Sequence, residues 1–358
     1  MGFDAQFGAA TPAGRLTWGG DAYYDYDVDS WSSTNPIQGP VGDDARYLVA
    51  GAYAQDELRL ARTLELVAGA RLTAAHARAD RVSHPLSGEA VALRNDADAL
   101  TTSVRLLHEV RPGRWSLFAG RSEGFRAPNL SDLTRFDLAE GNQIETPSDG
   151  LRPERFVTWE AGTTLRTGRA TGSAGVFHTA IRDLIVRQPT GRMLGSEYEV
   201  RHANTGQGWV WGWQAEATLA AGRGVRLAAW AGWNDGELDQ YPTSDPVVVC
   251  EPLSRVMPLG GGLRARWTPA ASAPWLECEA LAAARQDRLS TGDRVDRQRI
   301  PPGGTPGYAV VTLRGGVAVG RADFMLAIEN LGDADYRIHG SGINAPGRNV
   351  VLGMNWTF

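Results

Sequence analysis

The side chains of this 358-residue chain alternate between apolar and polar nearly everywhere, with the two-residue period of β-strands rather than the 3.6-residue period of helices. The last ten residues, 349–358, show the pattern most clearly. Their apolar face consists of Val350, Leu352, Met354, Trp356 and Phe358. In the segments 64–73 and 209–219 the second face carries Gly, Glu, Arg, Gln and Thr, which suits contact with water. The pattern therefore predicts strands with one apolar face and one wet face.

Short and long connections between these strands alternate along the chain. The short ones lie near residues 58–63, 111–114, 166–169, 221–224, 269–274 and 320–323. The long polar ones lie near residues 79–97, 124–153, 188–207, 234–255, 286–307 and 332–347. A sandwich or a propeller has no reason to place all its long loops at one end, whereas an outer-membrane barrel has short periplasmic turns and long extracellular loops. We therefore predict an all-β, antiparallel transmembrane β-barrel of the outer-membrane type, with about 14 to 16 strands of about 9 to 11 residues each.

Charge and hydropathy exclude two other classes of protein. The formal net charge is −5, and the arginines that supply the positive charge form no basic stripe, which argues against nucleic acid as a partner. No stretch reaches the roughly 18 consecutive apolar residues of a spanning helix, which excludes a helical inner-membrane protein. The mean hydropathy of −0.28 does not argue against a membrane barrel, because its strands alternate.

The strand count gives an expectation about the beginning of the chain. If Phe358 ends the last strand at the periplasmic side, counting backwards places residues 2–9 at the extracellular rim and leaves an odd number of strands. Bacterial single-chain barrels have even numbers. The first residues also lack the basic and apolar regions of a signal peptide. We therefore expect residues 1–358 to be one partial barrel domain, without a signal peptide and without its first strands.

Several segments resemble the C-terminal barrel portion of a TonB-dependent outer-membrane receptor. They are GFRAPNLSDL (124–133), LRPERFVTWEAGTTL (151–165), RQRIPPGGTPGYAVVTLRGG (297–316) and IENLGDADYRIHGSGINAPGRNVVLGMNWTF (328–358), and residues 16–30 look like an earlier strand. The likeness covers most of the chain, and its motifs occur in the family's order. It implies an incomplete barrel of the family's about 22 strands, without the N-terminal plug that fills the lumen.

The same resemblance implies a location and partners. It places the protein in the bacterial outer membrane, as a receptor for TonB-dependent uptake of a scarce small molecule, with a ferric siderophore as the leading ligand. The partners are the TonB system, reached through a plug missing from this chain, outer-membrane lipid and the barrel-assembly machinery. Alternatives are a haem or vitamin B12-type receptor, a structural or adhesive barrel without transport, and a soluble all-β binding module such as a carbohydrate-binding propeller.

The candidate ligand-binding residues lie in and after the FRAP segment, which resembles a family position near the extracellular mouth. They are Arg126, Arg135, Asp137, Glu140 and Asn142. Arginine forks suit carboxylate or ferric-chelate oxygens, because they donate charge-assisted hydrogen bonds. The competing interpretation is that Arg126 braces the wall of the lumen against acidic neighbours such as Glu154.

Haem-binding members of the family can carry a histidine in the connection after FRAP. This connection contains none, although His84, His202 or His339 could substitute for it. The six histidines are scattered without metal-ligand spacing, so no metal site is predicted. No motif of a hydrolase, nucleotide-binding enzyme or metalloprotease is present, so we predict no catalytic residue and no cofactor.

Two further expectations concern the cysteines and the aromatic residues. Cys250 lies in a long connection and Cys278 follows a short turn, so we expect both thiols to be free. The tryptophans at 209, 211 and 213 suit an aromatic girdle at the membrane interface. The apolar C-terminal face, with Trp356 and Phe358, looks like the recognition signal for barrel assembly. The alternative is that Phe358 only completes the girdle.

Overall fold

The computed structural model describes residues 1–28, 42–83, 89–139, 142–269 and 274–357. Within these ranges eighteen strands form one sheet. In chain order the strands are β1 (Gly2–Thr11), β2 (Gly14–Val28), β3 (Asp43–Ala61), β4 (Leu64–Ser83), β5 (Ala90–Arg111), β6 (Trp115–Arg126), β7 (Asp137–Ala139), β8 (Gln143–Thr146), β9 (Glu154–Arg166), β10 (Ala170–Leu194), β11 (Glu197–Gly222), β12 (Val225–Gln240), β13 (Val249–Pro252), β14 (Gly260–Trp267), β15 (Trp275–Ala283), β16 (Tyr308–Val319), β17 (Ala322–Glu329) and β18 (Asn349–Trp356). Two short helices, α1 (Leu130–Thr134) and α2 (Thr291–Val295), lie in the connections. Neither is long or apolar enough to cross a membrane.

Fifteen of the strands are long, and each long strand after β1 pairs antiparallel with the long strand before it in the chain. The other three, β7, β8 and β13, are short strands within connections, and β8 runs parallel to β11. The predicted single antiparallel sheet, with its number of long strands, is confirmed. Across the part of the chain that the structure describes, β1 pairs with β2 alone and β18 with β17 alone, so the sheet is open.

Five of the predicted short turns, near 58–63, 111–114, 166–169, 221–224 and 320–323, are also confirmed, and they lie at one edge of the sheet. Residues 270–273 of the sixth, 269–274, lie outside the described residues. The turn after β11 shows why its sequence is suited to a sharp reversal. Gly224 has a φ of +79°, and a Cβ at this position would lie 2.3 Å from the backbone oxygen of Thr268. Only glycine fits this close approach without strain.

Several strands are much longer than the predicted 9 to 11 residues: β10 has 25 residues and β11 has 26. Much of the predicted long connections 79–97 and 188–207 is therefore strand. We call these two extensions, β4–β5 and β10–β11, the tall hairpins. A hairpin satisfies its own backbone hydrogen bonds, so a polar segment can continue as strand beyond the membrane. The β4–β5 pairing shifts register near Ala79 and the β10–β11 pairing near Ile181, so that one strand of each pair accommodates additional residues.

The two faces of the sheet differ in polarity. On β18 the predicted apolar face is exposed, with Leu352 80% exposed, whereas Phe358 lies outside the described residues. The opposite face of the sheet carries ion pairs, including Arg71 with Asp21, 2.7 Å apart, and Arg314 with Glu277, 3.0 Å apart. An apolar outer face and a polar inner face are the arrangement of a membrane barrel around a wet lumen.

The two cysteines lie in different parts of the sheet. Cys250 is in β13 and pairs in register with Asp239, while Cys278 is in β15 opposite Ala265. Both are exposed and free, as predicted.

Candidate functional site

The connection between β6 and β9, residues 127–153, folds back into the mouth of the sheet. Leu133 of α1 and Leu151 are buried against Ala77 on the inner side of β4. The side-chain amide of Asn95 donates a hydrogen bond to the backbone oxygen of Leu151, at 2.8 Å. Between α1 and Leu151, the connection adds β8 to β11 through parallel pairing of residues 143–146. The connection therefore joins the two tall hairpins.

Arg126 ties the base of this connection to the barrel wall. Its Nε and Nη2 donate to the two carboxylate oxygens of Glu154, each at 2.6 Å, and its Nη1 donates to Asp132 at 2.6 Å. Glu154 is only 2% exposed and also accepts a hydrogen bond from the backbone nitrogen of Ile185. Asp132 in turn forms the capping box of α1 with Asn129. This geometry agrees with the competing interpretation, in which Arg126 braces the wall of the lumen against Glu154.

A second buried carboxylate, Glu145 of β8, lies between two arginines. The Nε atoms of Arg135 and Arg187 are each 2.9 Å from one of its oxygens. Glu145 is 3% exposed, whereas the two arginine side chains are about half exposed. The carboxylate thus fixes two guanidinium groups whose outer parts face solvent, an arrangement that can donate hydrogen bonds to an anion.

The other predicted ligand residues lie farther along the connection. Asn142 has a φ of +59°; its backbone oxygen accepts a hydrogen bond from the Tyr198 nitrogen at 2.8 Å. It therefore fastens the connection to the tip of the β10–β11 hairpin. Asp137 begins β7 opposite Glu145, but the structure describes only its backbone, and Glu140 lies outside the described residues.

Sequence reasoning missed Arg187, because its partner Glu145 lies in a connection that becomes adjacent only after folding. It also missed Glu199, a buried residue of β11 that accepts hydrogen bonds from Thr146 and Thr190 at 3.0 and 2.7 Å. The available signal was the polar alternation in 188–207, which predicts strand as well as loop. Side chains alternate along a strand, so Glu199 lies on the face opposite to His202. His202 Nδ1 lies 2.8 Å from the backbone oxygen of Asp132 in α1.

A comparison with protein families identifies the chain. Residues 1–331 match the family model described as TonB dependent receptor-like, beta-barrel. The chain belongs to this family. It is a receptor and transporter family rather than an enzyme family, and its members lie in the outer membrane of bacteria, as this receptor barrel does.

Solved structures share the fold of this receptor barrel at low sequence identity. The copper transporter OprC is 16% identical with a TM-score of 0.74, and the match covers 100% of this chain and 56% of that one. The FrpB iron transporter from Neisseria meningitidis (F3-3 variant) is 16% identical with a TM-score of 0.71, over 100% and 54%. The siderophore receptor PiuA from Acinetobacter baumannii is 14% identical with a TM-score of 0.69, over 99% and 55%. The receptor barrel spans about half the length of these structures, and no curated protein matches its sequence.

The histidines of the receptor barrel bear on the haem alternative. His202 Nδ1 lies within hydrogen-bonding distance of the Asp132 backbone oxygen in α1. His339 is buried, with its Nδ1 2.9 Å from the Thr305 hydroxyl. His84 lies outside the described residues. Among the residues that are described, no group of three or more His, Cys, Asp or Glu side chains could hold a metal ion. Haem binding stays an untested alternative.

His339 belongs to a second group of interlocked connections. The Ser254 hydroxyl donates to Asp293 in α2 at 2.6 Å, and Arg255 donates to Asp296 at 3.0 Å. His339 contacts Thr305 in the same connection as α2. The connections 241–259, 284–307 and 330–348 therefore pack as one unit, which we call the loop cluster.

We predict that the loop cluster loosens as the pH falls below about 6.5. Burial lowers the pKa of His339 below its ordinary value of 6.5, with Arg255 adding to the effect and Asp293 opposing it. The unfolded cluster then binds the proton more readily than the folded one, so the contribution of His339 to stability is complete above pH 6.5 and is lost below it. Hydrogen exchange of residues 330–348, corrected for intrinsic rates, should rise on going from pH 7.5 to pH 5. In His339→Gln this rise should disappear, and an unchanged rise would contradict the prediction.

Proposed function

We propose that this receptor barrel is part of an outer-membrane receptor that imports an anionic metal chelate in a TonB-dependent manner, with a ferric siderophore as the leading ligand. The match of residues 1–331 to the receptor family carries the proposal. Structures with the same fold bear names of copper and iron transporters and of a siderophore receptor, which supports metal uptake as the class of activity. TonB would act through the plug domain that receptors resembling this one carry ahead of the barrel.

The proposed ligand site is the arginine surface at the barrel mouth. It comprises the predicted residues Arg126, Arg135, Asp137, Glu140 and Asn142, to which the geometry adds Arg187. The buried carboxylates of Glu145 and Glu154 hold the guanidinium groups in place before a ligand arrives. Pre-organised donors lose less side-chain entropy on binding, which favours affinity for carboxylate or chelate oxygens.

An uptake measurement in cells tests the proposed activity. The full-length protein is expressed in a strain without its own ferric-siderophore receptors, and the entry of radioactive iron is followed for a panel of siderophores. We expect uptake of at least one chelate, lost when the TonB gene is deleted. Binding without uptake would favour the non-transporting alternative. Uptake of haem or cobalamin alone would show that the ligand is that compound and not a ferric siderophore.

Changing both Arg135 and Arg187 to Gln should weaken binding of the transported chelate by about 10- to 100-fold, because each guanidinium supplies charge-assisted hydrogen bonds. Since this change leaves Glu145 charged and buried, a triple variant that adds Glu145→Gln removes that charge as well. The measurement is chelate binding to purified protein by fluorescence quenching.

A matched control is Arg155→Gln with Arg182→Gln. These two arginines pair in register on β9 and β10, are exposed, and alternate onto the outer face. The control should bind the chelate like the wild type. Wild-type affinity in the triple variant would show that the ligand does not use this arginine surface.

A further inference from the structure

Five of the short turns at one edge of the sheet each contain one arginine. The turn arginines are Arg62, Arg114, Arg169, Arg223 and Arg321, and we call them the arginine collar. The turn residues themselves include no Asp or Glu. The chain contains no lysine, and the charged residue in each of these turns is an arginine with a planar guanidinium. This concentrates positive charge at the rim that faces the periplasm in a barrel of this kind.

The collar arginines have no side-chain partner among the residues that the structure describes. All five are exposed, and none of their side chains makes an ion pair, hydrogen bond or ring contact with the residues that the structure describes. The opposite rim differs, because Arg126, Arg135 and Arg187 there contact buried carboxylates. The collar guanidinium groups are therefore available to a partner outside the chain.

The backbone at Arg223 adds a second observation. Its φ of +51° lies in the left-handed region, which glycine or asparagine adopts at lower cost. Arg223 thus keeps a long side chain at a position where the backbone conformation favours glycine. A function for the side chain accounts for that cost.

Large apolar side chains border the collar on the outer face. Trp115 follows Arg114, and Trp356 pairs in register with Ala322, the neighbour of Arg321. Both tryptophans and Leu60, near Arg62, are exposed. Tryptophan at the end of a membrane strand marks the level of the lipid headgroups. The turns just beyond it lie where the phosphates of the periplasmic leaflet are.

We propose that the arginine collar binds the phosphate groups of anionic phospholipids in the periplasmic leaflet. A guanidinium donates two parallel hydrogen bonds to a phosphate, a geometry that ammonium cannot match. The collar is spread over five turns around the rim, which suits several separate headgroups better than one compact acidic protein. The bordering tryptophans put lipid, rather than water, beside the same turns. The proposal does not depend on which ligand the barrel transports.

The test uses the full-length protein purified from outer membranes and placed in phosphatidylcholine nanodiscs. In separate arms the discs contain a photoactivatable phosphatidylglycerol or a photoactivatable phosphatidylcholine, and mass spectrometry maps the cross-linked residues. We expect phosphatidylglycerol to label the five turns about fivefold more than phosphatidylcholine, from the attraction of one basic side chain near an anionic surface.

The variant changes all five collar arginines to Gln, and labelling of the turns by phosphatidylglycerol should fall to the phosphatidylcholine level. The matched control changes five exposed arginines on the long-loop side to Gln: Arg155, Arg182, Arg192, Arg294 and Arg297. It removes the same charge and should leave turn labelling unchanged. Folding of both variants is checked by heat-modifiable migration on a gel. If the variant with all five substitutions does not fold, the single variants Arg114→Gln and Arg321→Gln are made, and lipid labelling is measured at the substituted turn of each.

Equal labelling of the wild-type turns by the two lipids would overturn the proposal. Unchanged phosphatidylglycerol labelling in the collar variant would overturn it as well, and would leave the collar to a water-soluble acidic partner.

Discussion

Replacing Arg126 by leucine is expected to release the connection between β6 and β9 from the barrel mouth. Glu154 would keep one backbone hydrogen bond, from Ile185, but would lose both guanidinium contacts while remaining buried. An uncompensated buried carboxylate costs about 3 to 5 kcal/mol. The capping Asp132 loses its arginine contact at the same time. Hydrogen exchange across residues 127–153 should therefore rise by at least about 100-fold in a barrel that is otherwise folded.

Two controls separate this effect from a general loss of charge. The double variant Arg126→Leu with Glu154→Leu removes the stranded carboxylate and should restore most of the protection. Arg78→Leu breaks an exposed ion pair with Asp80, which is worth about 1 kcal/mol or less, and should leave the connection protected. Unchanged exchange in Arg126→Leu would show that the brace does not hold the connection.

Replacing Phe358 by aspartate is expected to lower the amount of protein in the outer membrane by about tenfold or more. Trp356, the last described aromatic residue of β18, is about half exposed on the apolar outer face. The alternation of the sequence predicts the same face for Phe358. An aromatic ring there sits at the membrane interface, and the open edge of the strand can pair with a template strand. Aspartate would place a charge where the assembly machinery must bind an apolar face.

The control for this prediction is Asn355→Asp, which adds the same charge to the opposite face of β18 and should have little effect. Surface levels are measured by heat-modifiable migration and by protease resistance in intact cells, with the full-length protein. If Phe358 only completes the aromatic girdle, Trp356 would compensate and the levels would match the wild type, which would contradict the prediction.

The sheet was predictable from sequence because it depends on a local signal, the alternation of side chains. The same signal continues into the tall hairpins, where Ala75, Ala77 and Ala79 alternate with polar residues, although the polar composition from residue 79 onwards predicts a loop. Strand length is not a local property in this case: β10 and β11 extend beyond the membrane because each provides the other's hydrogen-bond partners.

The candidate site was predictable only in part. Arg126 could be placed near Glu154 because the two residues lie in segments, 124–133 and 151–165, that both resemble the receptor family. The grouping of Arg135, Glu145 and Arg187 depends instead on β8 lying beside β11, a parallel pairing that no residue pattern indicates. Contacts of this kind arise from the path of a connection rather than from its composition.

The connection 127–153 joins the two tall hairpins, and this has a mechanical consequence. A parallel strand pairing joins the connection 127–153 to one hairpin, and buried leucines with the Asn95 bond join it to the other. A force that tilts the β10–β11 hairpin is therefore transmitted to the β4–β5 hairpin, so the two hairpins tilt together. Opening of the mouth on this side requires a single concerted rotation, and the hydrogen bond from the Gln143 side-chain amide to the Ser244 hydroxyl, at 3.0 Å, transmits that movement to the loop cluster.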